Sequence, residues 1–188
     1  MVIVLCNFLS AELCDNIIQA AKEKGLSKAT VLNSDGSSYL DENHRGGYTT
    51  FIPSEQMYEI CGEFRTMLNN INQTYFKANI TSYGFQVAEY REHEAGFGWH
   101  HDDPMYSYSN VICNGRKLTL VFQLSNENTY QGGVLEINPY GKYKEPIKAS
   151  NIQGTCIAFP SFFMHRVTPI TSGTRYSLTV WGKGPTWM

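Results

Sequence analysis

Residues 116–125 read Arg116-Lys117-Leu118-Thr119-Leu120-Val121-Phe122-Gln123-Leu124-Ser125. Leu118, Leu120, Phe122 and Leu124 alternate with Thr119, Val121, Gln123 and Ser125, the period of two that marks a pleated strand. Working outward, runs of similar character predict further strands near 80–90, 97–103, 133–138, 143–148, 154–160, 164–170 and 175–182. Eight short, closely spaced strands predict a sandwich or barrel, the jelly-roll family included. The stretch Pro104 to Gly115, rich in Tyr, Ser and Asn, reads as a loop beside whatever the barrel holds.

The N-terminal part has a different period. Ser10 is a good N-cap, Leu13, Ile17, Ile18 and Ala21 follow at helical spacing, and Gly25 is placed to stop the helix. A second helix is expected from Ser54 to about Asn72, on the stripe Met57, Cys61, Phe64, Leu68 and Ile71. Between them, residues 28–53 contain Asp35-Gly36 and Gly46-Gly47, which suggest turns and a hairpin. The expectation is one α+β, mostly β domain over 1–188. Residues 1–79 give helical support and substrate-side elements, and residues 80–184 form the β core.

At 42% hydrophobic and 17% charged the chain has enough apolar material for a packed core, which excludes a disordered segment. A formal net charge of -2 gives no electrostatic reason to expect nucleic acid or an anionic membrane as partner. The 5 cysteines are scattered, without a CxxC pair, which fits reduced thiols better than a disulfide framework. Met1 to Leu5 is too short for a signal peptide, and no run approaches the roughly 20 apolar residues of a membrane span. The expected setting is cytoplasmic.

Chemistry enters at Gly96-Phe97-Gly98-Trp99-His100-His101-Asp102-Asp103. In a strand, residues two apart share a face, so His100 and Asp102 can reach one point in space. An imidazole and a carboxylate supply two metal ligands. A third, His165 in the apolar run Phe159–Val167, would complete a facial set with three adjacent positions open, the arrangement of a non-haem Fe(II) oxygenase. The triplet alone is also what a solvated strand end carries, His101 with Asp103 is a second H-x-D, and His165 alone could be a hydrogen-bonded core histidine. Arg175 opens the run Arg175-Tyr176-Ser177-Leu178-Thr179-Val180-Trp181. A guanidinium there needs a partner, either an Asp or Glu of the protein or the carboxylate of a bound acid.

These segments, in this order, resemble the Fe(II)/2-oxoglutarate dioxygenases. Within them they resemble the prolyl 4-hydroxylase-like branch, which includes the PKHD-type hydroxylases and the prolyl hydroxylases acting on hypoxia-inducible factor. The similarity covers roughly residues 80–184. Tyr90 stands ten residues before His100, Gly115 to Leu120 looks like the third core strand, and Gly132-Gly133-Val134-Leu135 matches a Gly-Gly-x-Leu strand opening. Arg175 follows His165 by ten, a spacing this branch uses.

The resemblance implies a double-stranded β-helix, a jelly-roll or cupin-like barrel. It implies Fe(2+) on His100, Asp102 and His165, and 2-oxoglutarate paired with Arg175 and touched by Tyr90. It also implies dioxygen as oxidant, with room for ascorbate. Thr119, Gln123 and Leu135 are expected near the keto acid, with Thr119 and Leu135 equally readable as core. Gln123 departs from the branch pattern, which has a Tyr there. His101 and Asp103 are expected to face the other way. The implied activity is hydroxylation of an unactivated C–H, first of a peptidyl proline in a protein or peptide, procollagen-proline type. The alternatives are a free amino acid or small-molecule metabolite, or a non-catalytic cupin-like metal-binding module. Tyr106, Tyr108 and Trp181 are the candidate substrate contacts. Asp102 argues against the halogenating relatives, and the closing motif of the nucleic-acid demethylases is missing.

Overall fold

The alternation at 116–125 becomes a strand both of whose faces are covered. In the computed structural model, residues 1–32, 37–103, 115–141 and 144–185 are described. In chain order these form β1 (Ile3–Leu5), α1 (Ala11–Lys24), β2 (Ser27–Lys28), β3 (Val31–Leu32), β4 (Ser38–Tyr39) and β5 (Tyr48–Ile52). Then come α2 (Ser54–Ile60), α3 (Phe64–Ile71), a π-helical turn (Asn72–Phe76), β6 (Ser82–Arg91), β7 (Phe97–His100) and β8 (Gly115–Gln123). The remainder are β9 (Tyr130–Gly132), β10 (Leu135–Asn138), β11 (Ile147–Lys148), β12 (Cys156–Pro160), β13 (Met164–Val167) and β14 (Ile170–Gly184).

The major sheet runs β1-β12-β8-β14-β6-β5-β2 with β9 beside β14, and the minor sheet runs β11-β10-β13-β7. All of these pairings are antiparallel. On one face of the major sheet, Leu118, Leu120, Phe122, Leu178 and Val180 pack with Ile17, Met57, Phe64 and Leu68 of the three helices. On the other face, Ala88, Tyr90, Val121, Ile157 and Phe159 meet Leu135, Ile137 and Val167 of the minor sheet. The polar phase of β8 therefore points into a barrel rather than into water. This is the mostly β, α+β double-stranded β-helix expected.

Several elements differ from the expectation. The helix foreseen over Ser54 to Asn72 is two helices, because the backbone turns extended at Cys61 (φ -137°, ψ 95°) just before Gly62. The apolar stripe survives the break, with Met57, Phe64 and Leu68 fully buried, since a facing pattern does not require one continuous helix. The strand foreseen at 97–103 ends at His100. The one at 133–138 starts at Leu135, with β9 before it, and the one at 143–148 shrinks to Ile147–Lys148. β14 takes in residues foreseen as the end of the preceding strand and as turn. β1 lies outside every expected element, while in the 28–53 region, where turns and a hairpin are expected, β3 pairs with β4 and β5 with β2 and β6. β1 gains its conformation by adding to the edge at β12, a long-range pairing with no local signature. The caps of α1 are as expected: Ser10 Oγ accepts from the Leu13 amide, and the Gly25 amide donates to Ala21 and Lys22 at φ +86°. No helix among the described residues is long and apolar enough to cross a membrane.

Phe122 has no exposed surface and its ring meets those of Phe8 and Phe64, so it joins β8 to the helical layer. Phe122→Ala is expected to destabilise the fold by about 3–5 kcal/mol, read as a lower denaturant midpoint at unchanged slope.

Candidate metal centre

β7 and β13 are paired so that His165 lies directly opposite His100. Asp102 does not sit on the same strand face by pleat, as its spacing suggested. β7 stops at His100, and the Asp102 and Asp103 amides both donate to the Ser161 carbonyl, at 2.9 and 3.1 Å. The resulting bend returns the Asp102 carboxylate to the histidines. One ligand atom from each of His100, Asp102 and His165 lies within 4.8 Å of the others. His100 Nε2 is 3.8 Å from Asp102 Oδ1, and His165 Nε2 is 3.5 Å from Oδ2.

Two hydrogen bonds fix which nitrogens face that point. His100 Nδ1 donates to the Gly98 carbonyl at 2.8 Å and His165 Nδ1 to the Phe163 carbonyl at 2.9 Å. A carbonyl can only accept, so Nδ1 carries the proton in each ring and the Nε2 lone pair is free for a metal. Burial, with His165 close by, pushes His100 down to about 3, which keeps it neutral and competent as a ligand. Burial alone would raise the Asp102 carboxyl. The facing His165 and His100 imidazoles and the Arg116 guanidinium outweigh it and hold Asp102 well below the usual carboxylate range. Thr119 Oγ1 donates to Asp102 Oδ2 at 2.7 Å and lies 2.9 Å from Ser161 Oγ. Thr119 and Ser161 are both fully buried. Two imidazole nitrogens and one carboxylate, each with its other polar atoms engaged, suit a divalent transition metal with open positions.

The triad closes one end of a small chamber of about 40 Å³, which Tyr90, Val121, Leu135, Arg175, Ser177 and Trp181 also line. Arg175 is 0% exposed. Its Nη2 donates to Gln123 Oε1 at 2.9 Å and its Nη1 to Ser177 Oγ at 3.2 Å, while its Nε has no partner. Among the described residues it has no carboxylate within ion-pair distance. The Tyr90 ring stands 5.8 Å from the guanidinium carbon. Gly133 makes room for this side chain: at φ +60° it occupies backbone that favours glycine, and a Cβ there would sit 2.7 Å from Arg175 Cδ.

The chamber opens toward a vestibule of about 300 Å³ that shares Arg45, Gln86, Phe97, His100, Asp102 and Trp181 with it and adds Arg116. Of the residues singled out from sequence, the structure brings His100, Asp102, His165, Tyr90, Leu135, Arg175 and Trp181 to one chamber. Thr119 stands behind Asp102, and Gln123 is the neutral partner of Arg175. His101 is exposed, and its Nδ1 bonds to the Asp103 carbonyl. Tyr106 and Tyr108 lie outside the described residues. Sequence reading missed Ser161, Arg45, Gln86 and Arg116. Ser161 left a trace as the polar interruption of the apolar run around Phe159, and Arg45 as a lone cation before a glycine pair.

A family model described as "2OG-Fe(II) oxygenase superfamily" matches residues 85–183. Over 86 residues the chain is 36% identical to a PKHD-type hydroxylase of Shewanella sp. (strain MR-7), and that match spans 45% of this chain and 36% of the relative. It is 30% identical over 86 residues to the PKHD-type hydroxylase YbiX of Escherichia coli, again 36% of the relative's length. The chain thus matches about a third of these curated relatives. A Pseudomonas putida prolyl-4-hydroxylase structure aligns at TM-score 0.73 and 20% identity, over 97% of this chain and 92% of that one. A Trichoplax adhaerens prolyl hydroxylase, in complex with a hypoxia inducible factor peptide fragment, aligns at 0.72 and 19%, over 96% and 82%. At those identities the likeness to solved structures is one of fold.

Thr119→Val removes one hydroxyl at nearly constant shape and frees Asp102 Oδ2. Manganese(II) affinity, titrated by water-proton relaxation, is expected to fall about tenfold while the far-ultraviolet circular dichroism is unchanged.

Proposed function

The chain belongs to the 2OG-Fe(II) oxygenase superfamily, and from that membership we propose that it is an Fe(II)- and 2-oxoglutarate-dependent dioxygenase hydroxylating an unactivated C–H. One observation carries the reading: three side chains able to hold a metal and a buried guanidinium with no counter-ion among the described residues share one chamber. The donor set fits iron, and the unpartnered Nε of Arg175 fits the far carboxylate of a five-carbon keto diacid. When bound, iron with 2-oxoglutarate and dioxygen supplies the oxidising equivalent, one oxygen atom ending in succinate and the other in the product hydroxyl.

The protein's own part is positioning. His100, Asp102 and His165 would hold the metal, their orientation set by the Gly98 and Phe163 carbonyls and by Thr119. Arg175 would fix the keto acid by its distal carboxylate, exchanging the neutral Gln123 contact for an ionic one, with the Tyr90 ring alongside. Val121, Leu135 and Val167 give the chamber an apolar wall that excludes water. Trp181, which lines chamber and vestibule alike, would contact the substrate. The relatives' names favour a peptidyl proline as that substrate, with a free amino acid as the alternative. Ascorbate belongs in the assay as the reductant that restores Fe(II).

Anaerobic addition of Fe(II) and then 2-oxoglutarate to the purified protein is expected to produce the weak visible charge-transfer band of the chelate. His165→Ala should abolish the band. Arg175→Ala should raise the keto-acid concentration needed for half its intensity about 100-fold, the worth of a buried charge-assisted pair. A wild-type protein that binds metal but gives no band would leave a non-catalytic metal-binding module as the better account.

A further inference from the structure

The vestibule has a charge problem of its own. Its lining carries Arg45 and Arg116, and Asp102 is the one carboxylate among the described residues that line it. Arg116 lies over Trp181 at 3.8 Å from the ring centroid. Its polar contact among the described residues is Asp102 Oδ1 at 3.8 Å, too long for a hydrogen bond. Arg45 donates from Nη1 to the Thr30 carbonyl at 2.8 Å and from Nη2 to Gln86 Oε1 at 3.1 Å, both neutral acceptors. Its Nε is buried without a partner, and so is the indole Nε1 of Trp181.

On the reading given above, the loaded chamber is electrically complete. The divalent metal balances the two carboxylates of the keto acid, and Asp102 balances Arg175. Arg116 then keeps no share of Asp102, and among the described residues the vestibule lining offers two guanidiniums, one of them met only by neutral acceptors, and no further carboxylate. Pro104 to Asn114, which follows Asp103 and lies outside the described residues, contains no Asp or Glu. Donor-rich, acceptor-poor linings of this kind select planar anions, because a guanidinium fork matches a carboxylate in two hydrogen bonds.

We propose that the substrate carries a carboxylate close to the carbon that is hydroxylated, and that Arg116, with Arg45 behind it, holds that group. The carboxylate can belong to the reacting residue itself, as in a free or C-terminal amino acid, or to an acidic side chain beside it in a peptide. A neutral segment offered to this vestibule would meet these cations with carbonyl dipoles only and bring them no opposite charge.

The test uses the Fe(II)- and 2-oxoglutarate-loaded protein under anaerobic conditions, where binding beside the metal shifts the visible band without turnover. The probes are N-acetyl-proline, N-acetyl-leucine and N-acetyl-lysine, each as free acid and as amide, and N-acetyl-prolyl-aspartate methylamide against its asparagine counterpart. At least one acid is expected to bind about tenfold more tightly than its neutral twin, the worth of one charge-assisted hydrogen bond. The single-residue and peptide pairs tell the two sources apart. Arg116→Gln should erase the preference while the amide's affinity stays put, and Arg116→Lys should retain part of it. Loss of packing alone would weaken acid and amide together. Equal binding within every pair, no binding by any probe, or a preference that survives Arg116→Gln and Arg45→Gln overturns the proposal. Absence of the band before any probe is added instead overturns the dioxygenase reading on which it rests.

Discussion

Arg175 is fully enclosed, and among the described residues the groups that meet its charge are neutral: the Gln123 amide oxygen, the Ser177 hydroxyl and the face of Tyr90. Taking such a cation out of water costs several kcal/mol, which dipoles offset only in part. The surrounding structure is arranged to hold it there. β14 pairs Arg175 with Tyr90 of β6 and Ser177 with Gln123 of β8, so two registers fix its position. On the same strand Arg175, Ser177, Thr179 and Trp181 turn to the chamber while Tyr176, Leu178 and Val180 turn to the helices. A slip by one residue would drive the guanidinium into the apolar layer.

Chamber and vestibule solve different electrostatic problems with neighbouring residues. In the chamber, burial keeps His100 neutral while the polar groups around Asp102, His165 and Arg116 among them, hold its carboxyl low, so the protonation states a metal requires exist before it arrives. In the vestibule, Arg116 is itself lowered by burial and by the Arg45 charge, against the opposing pull of Asp102. Asp102 is therefore the hinge between the two: its oxygens face both histidines, Thr119 and Arg116 at once.

Much of this was legible in the residues. The capped first helix, the alternation in β8, the H-x-D triplet and the distant His165 and Arg175 all have local signatures, because caps, pleats and unusual polar residues in apolar runs are written in short windows. What escaped was set by long-range pairing. The bend that carries Asp102 depends on the carbonyl of Ser161, fifty-odd residues away, and no spacing rule contains that bond. The division of the second helix turned on one extended residue beside Gly62. Arg45 and Arg116 carry no signal of a shared role in the sequence, and only the fold brings them to one lining. The Pro104 to Asn114 stretch that holds Tyr106 and Tyr108 is outside the described residues.

The pairing of His165 opposite His100, together with β1 lying against β12, bears on the order in which the molecule comes together. Of the candidate metal ligands, His100 and Asp102 stand two residues apart but His165 comes from a distant strand, and the chain's third residue waits for Ala158 before its strand has an edge to join. Contacts of such separation close slowly, since their loop entropy is lost before their packing energy is gained. A cation cannot gather these ligands in the unfolded chain as it gathers the clustered ligands of a zinc finger. On the proposed reading, assembly of the sheets precedes metal capture, and a newly made chain would pass through a period in which it is folded but not yet loaded.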